Sequence, residues 1–310
     1  FIAVGVEGFA WYRHEGTIDS KGIDREFENR AIEMGANAPE PKSDSHTLEG
    51  EAFKAVADNM VLEAGIMPIL HRCFVALVME GKRIKGIITE SKAGREAILA
   101  GRVIDATGVG DVARRSGAPM HKTPKEEMMA ASVMFYISGV DRQEFIDDLT
   151  ANPQTFKDLE SSEWSVETTG KEDAMFSRFL RKPFEQTLAT GLFLSNLNTI
   201  SGTWGALYET GELTYLNLIH LAGCDGTDPN DLTEFEIEGR RQVIRATEAL
   251  RRFHPGCAKA KLQNFGVTLS IRDTYQIDAL YNMTELDVHH QGRFYDSIGI
   301  FPEFVDGYGI

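Results

Sequence analysis

Val103-Ile104-Asp105-Ala106-Thr107-Gly108-Val109-Gly110-Asp111 reads as a strand running into a glycine turn. Val103 and Ile104 are β-branched and suit a buried strand. Ala106 is small, and Gly108 and Gly110 lack a Cβ, so the main chain there can turn sharply and come close to a ligand. Thr107 adds a hydroxyl and Asp111 a carboxylate at the mouth of the turn. Ligands of open α/β sheets sit at such strand ends, which makes the stretch a candidate cofactor site. Taken alone, Ala-Thr-Gly is also what an ordinary strand exit looks like. Gly108 to Ala113 further fits the dinucleotide fingerprint G-x-G-x-x-G/A, which needs a following helix and then a second strand ending in an acid. Here a helix from Asp111 is cut by Gly117 and Pro119, and His121 to Glu127 is polar with Pro124 inside it. The fingerprint is therefore incomplete.

Upstream of the turn the pattern is α/β. Ile23, Phe27 and Ala31 recur at helical spacing and stop at Gly35; a second helix runs through Phe53, Val56, Ala57, Met60, Val61 and Ala64 to Gly65. Ile66 to Leu70 is a short apolar strand. Phe74 to Glu80, a Gly81-Lys82 turn, Arg83 to Glu90, an Ala93-Gly94 turn and Arg95 to Asp105 predict a three-stranded meander that delivers the chain to the Ala106-Thr107-Gly108 turn. Downstream, strands are predicted at Ser132 to Ile137 and Leu213 to Leu221, with a short helix around Phe145, Ile146 and Leu149 and a polar stretch through Trp164 between them. Thr233 and Glu236 form a capping box ahead of an apolar stripe, Phe235, Gly239, Val243, Ala246, Leu250 and Phe253, which Pro255-Gly256 ends. Alternation from Phe265 to Ile271 predicts a half-buried strand with Arg272 at its end.

Composition narrows the function classes. The chain has 310 residues, 42% hydrophobic and 25% charged, ordinary values for a globular protein of one large domain or two modest ones. A formal net charge of -15 and a pI near 5.0 speak against a nucleic-acid partner, whose phosphates call for clustered Lys and Arg. No run is long enough to span a membrane and no export signal opens the chain, so a cytoplasmic location is expected. Cys73, Cys224 and Cys257 are odd in number and far apart, which argues against a disulfide framework, a zinc site or a cysteine-ligated cluster. Asp287, His289 and His290 lack ligand spacing and read as a polar loop; His71 and His220 read as core or strand-edge residues. No metal is expected, and without a G-x-S-x-G elbow a serine hydrolase is unsupported.

The order of helix, strand, antiparallel meander and a strand ending in Ala-Thr-Gly resembles the FAD-binding domain of glutathione-reductase-type flavoproteins, in particular the FAD-dependent oxidoreductase family. Val103 to Asp111 is similar to that family's V-I-D-A-T-G-D-G-D signature and departs at Val109, where an acid is usual. Ser270-Ile271-Arg272-Asp273-Thr274-Tyr275-Gln276-Ile277, followed by Tyr281-Asn282-Met283-Thr284, resembles G-x-R-E-[ST]-R-R-I and Y-x-L-T, with Tyr275 and Gln276 in place of two arginines and Ser270 in place of glycine. The resemblance implies an α/β fold: a partial Rossmann-like FAD-binding domain with its meander over residues 1–119, and an inserted α+β substrate domain over 120–310 that returns a strand towards the first. It implies FAD as cofactor, met by Phe74, Ala106, Thr107, Gly108, Gly110 and Asp111, and hydride transfer from a small organic substrate.

Arg272 is the expected catalytic residue. A guanidinium beside a flavin can pair bidentately with a substrate carboxylate or stabilise negative charge on the reduced ring while staying protonated. Its bland counterpart is a surface ion pair with Asp273, of little energetic worth. The family's opening strand, G-x-G-x-x-G turn and helix, and its closing flavin-contacting segment, find no match, so the chain is expected to be an internal piece of a longer polypeptide or one chain of a split or processed protein. Its partners would be a small-molecule substrate and either a second copy of itself or a companion chain carrying those segments. Two alternatives stay open: a nicotinamide-dependent dehydrogenase using the Gly108 turn, and a non-catalytic ligand-binding module.

Overall fold

The computed structural model describes residues 50–151, 181–191 and 207–284 without a break, together with 22–35, most of 286–297, and short strand pieces at 8–9, 13–14, 17–18, 37–39 and 46–48. The first helices are α1, Ile23–Glu33, and α2, Gly50–Glu63. They join through Phe27 and Phe53, whose rings stack with centroids 3.9 Å apart. The meander follows as β1, Cys73–Glu80, β2, Arg83–Ser91, and β3, Gly94–Leu99, all antiparallel in the order β1-β2-β3. Two tight turns between short apolar runs specify the hairpins, as the sequence predicts.

The main core lies further along the chain. Strand β5, Ala131–Ser138, pairs antiparallel with both β6, Leu213–Leu221, and β7, Lys261–Phe265. Phe135, Ile137, Leu213, Leu216 and Leu218 from this sheet are fully buried. Against it packs α6, Pro229–Phe253, with Val243, Ala246, Ala249 and Leu250 at 0% exposure. Gly239 makes the close approach possible: a Cβ there would stand 2.7 Å from Val133 Cγ2 and 3.2 Å from Leu221 Cδ1. Helix α4, Arg142–Ala151, is tied to the far end of α6 by the stacked rings of Phe145 and His254, 4.4 Å apart, and α5, Arg181–Thr190, adds the buried Phe184. Two elements complete the set and reach the turn: α3, Asp111–Arg115, and the two-stranded ribbon of β4, Met120–Lys122, with β8, Tyr275–Ile277.

Four expectations need correction. The third meander strand ends at Leu99, not Asp105; one more bond, Ala100 N–H to the Lys85 carbonyl, closes it. Val103 to Asp105 joins no ladder among the described residues, and Ile104 is 89% exposed. Ile66 to Leu70 is likewise an exposed segment outside any described ladder, with Pro68 unable to donate at its centre. β-Branched or apolar residues make a strand only where a neighbour supplies the hydrogen bonds. The predicted strand at 265–271 lies earlier, at Lys261–Phe265, because β5 offers its pairing edge to those residues; beyond it the Gly266 N–H donates to the Met134 carbonyl and Ser270 bridges back to Ser132. Helix α6 starts one turn before the predicted capping box: Asp228 is the N-cap, accepting the Asn230 N–H at 2.8 Å, with Pro229 at the first helical position. Thr233 Oγ1 instead donates to the Pro229 carbonyl.

His71 is exposed, with φ 59°, rather than a core residue, whereas His220 sits on β6 opposite Ser132. Trp164 and His289 lie outside the described residues. Every described ladder is antiparallel; the chain is a mixed helix and antiparallel-sheet protein in these parts. No helix among the described residues is long and apolar enough to cross a membrane.

Replacing Gly239 by Leu should lower stability by about 1–3 kcal/mol through overpacking against Val133 and Leu221, read as a fall in the urea midpoint. Ile244→Ala, on the exposed side of the same helix, should move it by no more than about 0.5 kcal/mol.

Candidate functional site

The Ala106 to Gly110 turn is built around the carboxylate of Asp105. Its Oδ1 accepts the Thr107 N–H at 3.1 Å and the Thr107 hydroxyl at 2.7 Å, and its Oδ2 accepts the N–H groups of Val112 at 3.0 Å and Ala113 at 2.9 Å. Thr107 Oγ1 in turn accepts the Asp111 N–H at 3.1 Å. One carboxylate thus shapes the turn and caps the first turn of α3, where N–H groups would otherwise lack partners and where negative charge is favoured. Burial works against the charge, but the bonds from Ala113, Thr107 and Val112 outweigh it and hold the carboxyl below its usual range.

What the carboxylate leaves over is equally specific. Among the described residues the N–H groups of Gly108, Val109 and Gly110 donate no hydrogen bond. Gly108 has φ 84°, a conformation that favours glycine, and a Cβ built on it would meet nothing within 4 Å. Ala106, Thr107 and Gly108 are exposed. The turn is open on this side and carries donors ready for an acceptor-rich ligand, which fits a nucleotide cofactor resting against the main chain. Gly110, at φ 69°, faces inwards, where a Cβ would approach Met120 Cε at 3.0 Å.

Helix α3 connects the turn to two other segments through adjacent arginines. Arg115 reaches the meander: Nη1 donates to the Val75 carbonyl, and the guanidinium lies 5.5 Å from the Phe74 ring centroid. Arg114 lies 4.1 Å over the ring of Tyr275, whose other cationic neighbour is Lys122 Nζ at 5.6 Å. Phe74, the turn and the segment after β7 are therefore brought together by five helical residues.

That last segment is fastened from several sides. Ser132 and Ser270 exchange both main-chain bonds, at 3.1 and 2.9 Å. The Thr123 N–H donates to the Thr274 carbonyl at 3.3 Å, and the Thr123 hydroxyl donates to Asp273 Oδ1 at 2.9 Å. Asp273 thus has a neutral donor, and Arg272 itself is exposed. Thr274 is buried. Strand β4 is pinned to the start of α6: Lys122 Nζ binds Asp225 and, at 2.8 Å, Thr227 Oγ1, and Lys125 pairs with Asp231. Burial raises the Asp225 carboxyl, but Lys122 and the Thr227 hydroxyl and N–H more than compensate, holding it down to about 2. At the ribbon's outer edge His121 Nδ1 meets Asp278 Oδ1 at 2.5 Å, a contact that raises the imidazole's basicity.

Of the residues expected at the site, Phe74, Ala106, Thr107, Gly108, Gly110 and Asp111 gather on or around α3, and Arg272 lies on the neighbouring segment, three residues before Tyr275. Sequence reasoning missed Asp105, Arg114 and Arg115. The Arg-Arg pair just past the turn was a usable signal, whereas the capping role of Asp105 depends on turn shape. Asp111 contributes its N–H and the start of the helix; the carboxylate that organises the turn belongs to Asp105.

A model of the family described as FAD dependent oxidoreductase matches residues 5–306, nearly the whole chain, and the chain belongs to that family. No curated protein and no solved structure matches it.

Because folding depresses the Asp105 carboxyl, its ionic contribution is fully present above the unfolded value near ~4 and is lost as pH falls through the folded value. Asp105→Asn should therefore lower the unfolding free energy at pH 7 by about 1 kcal/mol, read as a fall in the urea midpoint, with the gap to the native protein closing in acid. A gap that is the same at pH 7 and pH 3 would count against the charge.

Proposed function

From membership of the FAD-dependent oxidoreductase family, we propose that this protein moves a hydride from a small organic substrate to FAD, with the Ala106 to Gly110 turn lying against the cofactor and Arg272 serving the reacting end. The observation that carries the reading is the pairing of unused N–H groups on Gly108, Val109 and Gly110 with open space over Gly108. Bound FAD would supply the two-electron chemistry; the chain supplies position and charge. Gly108 lets the main chain approach the cofactor, Thr107 and Asp105 keep the turn from collapsing, and Arg115 carries Phe74 and Val75 of the meander to the same place. Arg272, permanently protonated, would hold a substrate carboxylate or offset negative charge accumulating on the reduced ring.

The architecture favours a division near residue 119 into an FAD-binding part, 1–119, with a Rossmann-like element, and a substrate part, 120–310, inserted into it. The continuous core of β5, β6 and α6 supports this, as does the ribbon β4–β8 that brings the later part back to α3. The protein would act on a small-molecule substrate, as a homo-oligomer or with a companion chain, and would work in the cytoplasm. A nicotinamide dehydrogenase fits less well: the N–H groups at the start of α3 that a pyrophosphate would use are taken by Asp105, and the strand after α3 runs antiparallel to β8. A purely ligand-binding module would leave the family's chemistry without a role.

Purified protein incubated with FAD should retain a yellow chromophore absorbing near ~450 nm. Gly108→Val, which puts a branched side chain at φ 84° on the open face, should lower retained FAD. Arg272→Ala should cut turnover about 10- to 100-fold with the colour unchanged. Protein that stays colourless and binds NAD tightly would favour the nicotinamide reading instead.

A further inference from the structure

We propose that the substrate carries an oxyanion, a carboxylate in the simplest case, and that Arg114 receives it on a platform formed with Tyr275. The flavin reading is needed only to call that anion a substrate. Most of the cations around the turn are already engaged: Arg115 with the Val75 carbonyl, Lys122 with Asp225 and Thr227, Lys125 with Asp231, and His121 with Asp278. Arg114 differs. Among the described residues its guanidinium meets the face of Tyr275, 4.1 Å away, and pairs with no carboxylate. Arg102, Arg114 and Arg115 are all exposed near the turn and pair with no carboxylate among the described residues, but Arg102 and Arg115 each donate to a main-chain carbonyl and Arg114 does not.

The geometry suits anion capture. A ring stacked on one face of a guanidinium restrains its plane while the in-plane N–H donors stay available at the edge, the arrangement that reads a carboxylate bidentately. Both halves of the platform are held. Tyr275 pairs in register with Lys122, and Arg114 stands on a helix capped by Asp105 at one end and anchored through Arg115 at the other. At 1.5 Å rise per residue, Arg114 lies about 6 Å along the helix from Gly110. Tyr275 is three residues from Arg272, a span of at most ~10 Å, which places Arg272 on the same segment as the platform.

The test is calorimetric titration of the whole protein, with and without FAD, using sodium succinate at low ionic strength and dimethyl succinate as the uncharged match. Succinate should bind and the ester should not. Arg114→Gln should weaken succinate binding about tenfold or more, Arg114→Lys less, and Lys82→Gln on the distant β1–β2 turn not at all. Arg114→Lys, which keeps the charge, also guards against a Gln variant that fails to fold. Retained FAD is read separately by absorbance: colourless protein with Arg114-dependent succinate binding supports the anion site and counts against the flavin reading. Yellow protein that does not bind succinate overturns the anion assignment alone. Binding by Arg114→Gln as tight as by the native protein also overturns it.

Discussion

A single carboxylate facing four donors organises this part of the molecule. Asp105 lies on an extended segment with no ladder of its own, yet it closes the Ala-Thr-Gly turn and starts α3. Each of those bonds involves a charged acceptor and is worth more than a neutral one. Together they hold a loop that β-pairing does not support. Without them α3 would be a one-turn helix too short to persist on its own propensity. The arginines that reach Phe74 and Tyr275 would then have no fixed origin.

The same device decides which N–H groups around the turn are left without an internal partner. Donors at the head of a helix are the usual place for a pyrophosphate, but here the protein's own carboxylate occupies them. The free donors sit one step earlier, at Gly108, Val109 and Gly110, where the absence of a side chain on Gly108 exposes the main chain. On the proposed reading, a cofactor would meet the turn rather than the helix end because of which N–H groups Asp105 consumes.

Much of the fold is legible locally. The meander follows from its two tight turns, β6 from a nine-residue stretch in which six residues are apolar, and the buried side of α6 from the spacing of Gly239, Val243, Ala246 and Leu250. What is not legible depends on partners distant in sequence. Ile66 to Leu70 and Val103 to Asp105 carry strand-like side chains but no described ladder; the pairing edge of β5 draws Lys261–Phe265 rather than the better-alternating residues after it. The start of α6 was signalled by Asp228-Pro229, a cap and a ring-locked φ, which outweigh a capping box one turn later. At the turn, the glycines could be named from pattern. Asp105 could not, since its partners lie up to eight residues ahead and are aligned only once the turn exists.

Arg114 and Arg115 are neighbours on a helix, so their side chains diverge by about 100° and serve two surfaces at once. A corner piece of this kind tolerates change of composition better than change of length. One residue added or removed between Gly110 and Arg114 would rotate both guanidinium groups off their rings together, uncoupling the meander from the ribbon while leaving every strand of each intact.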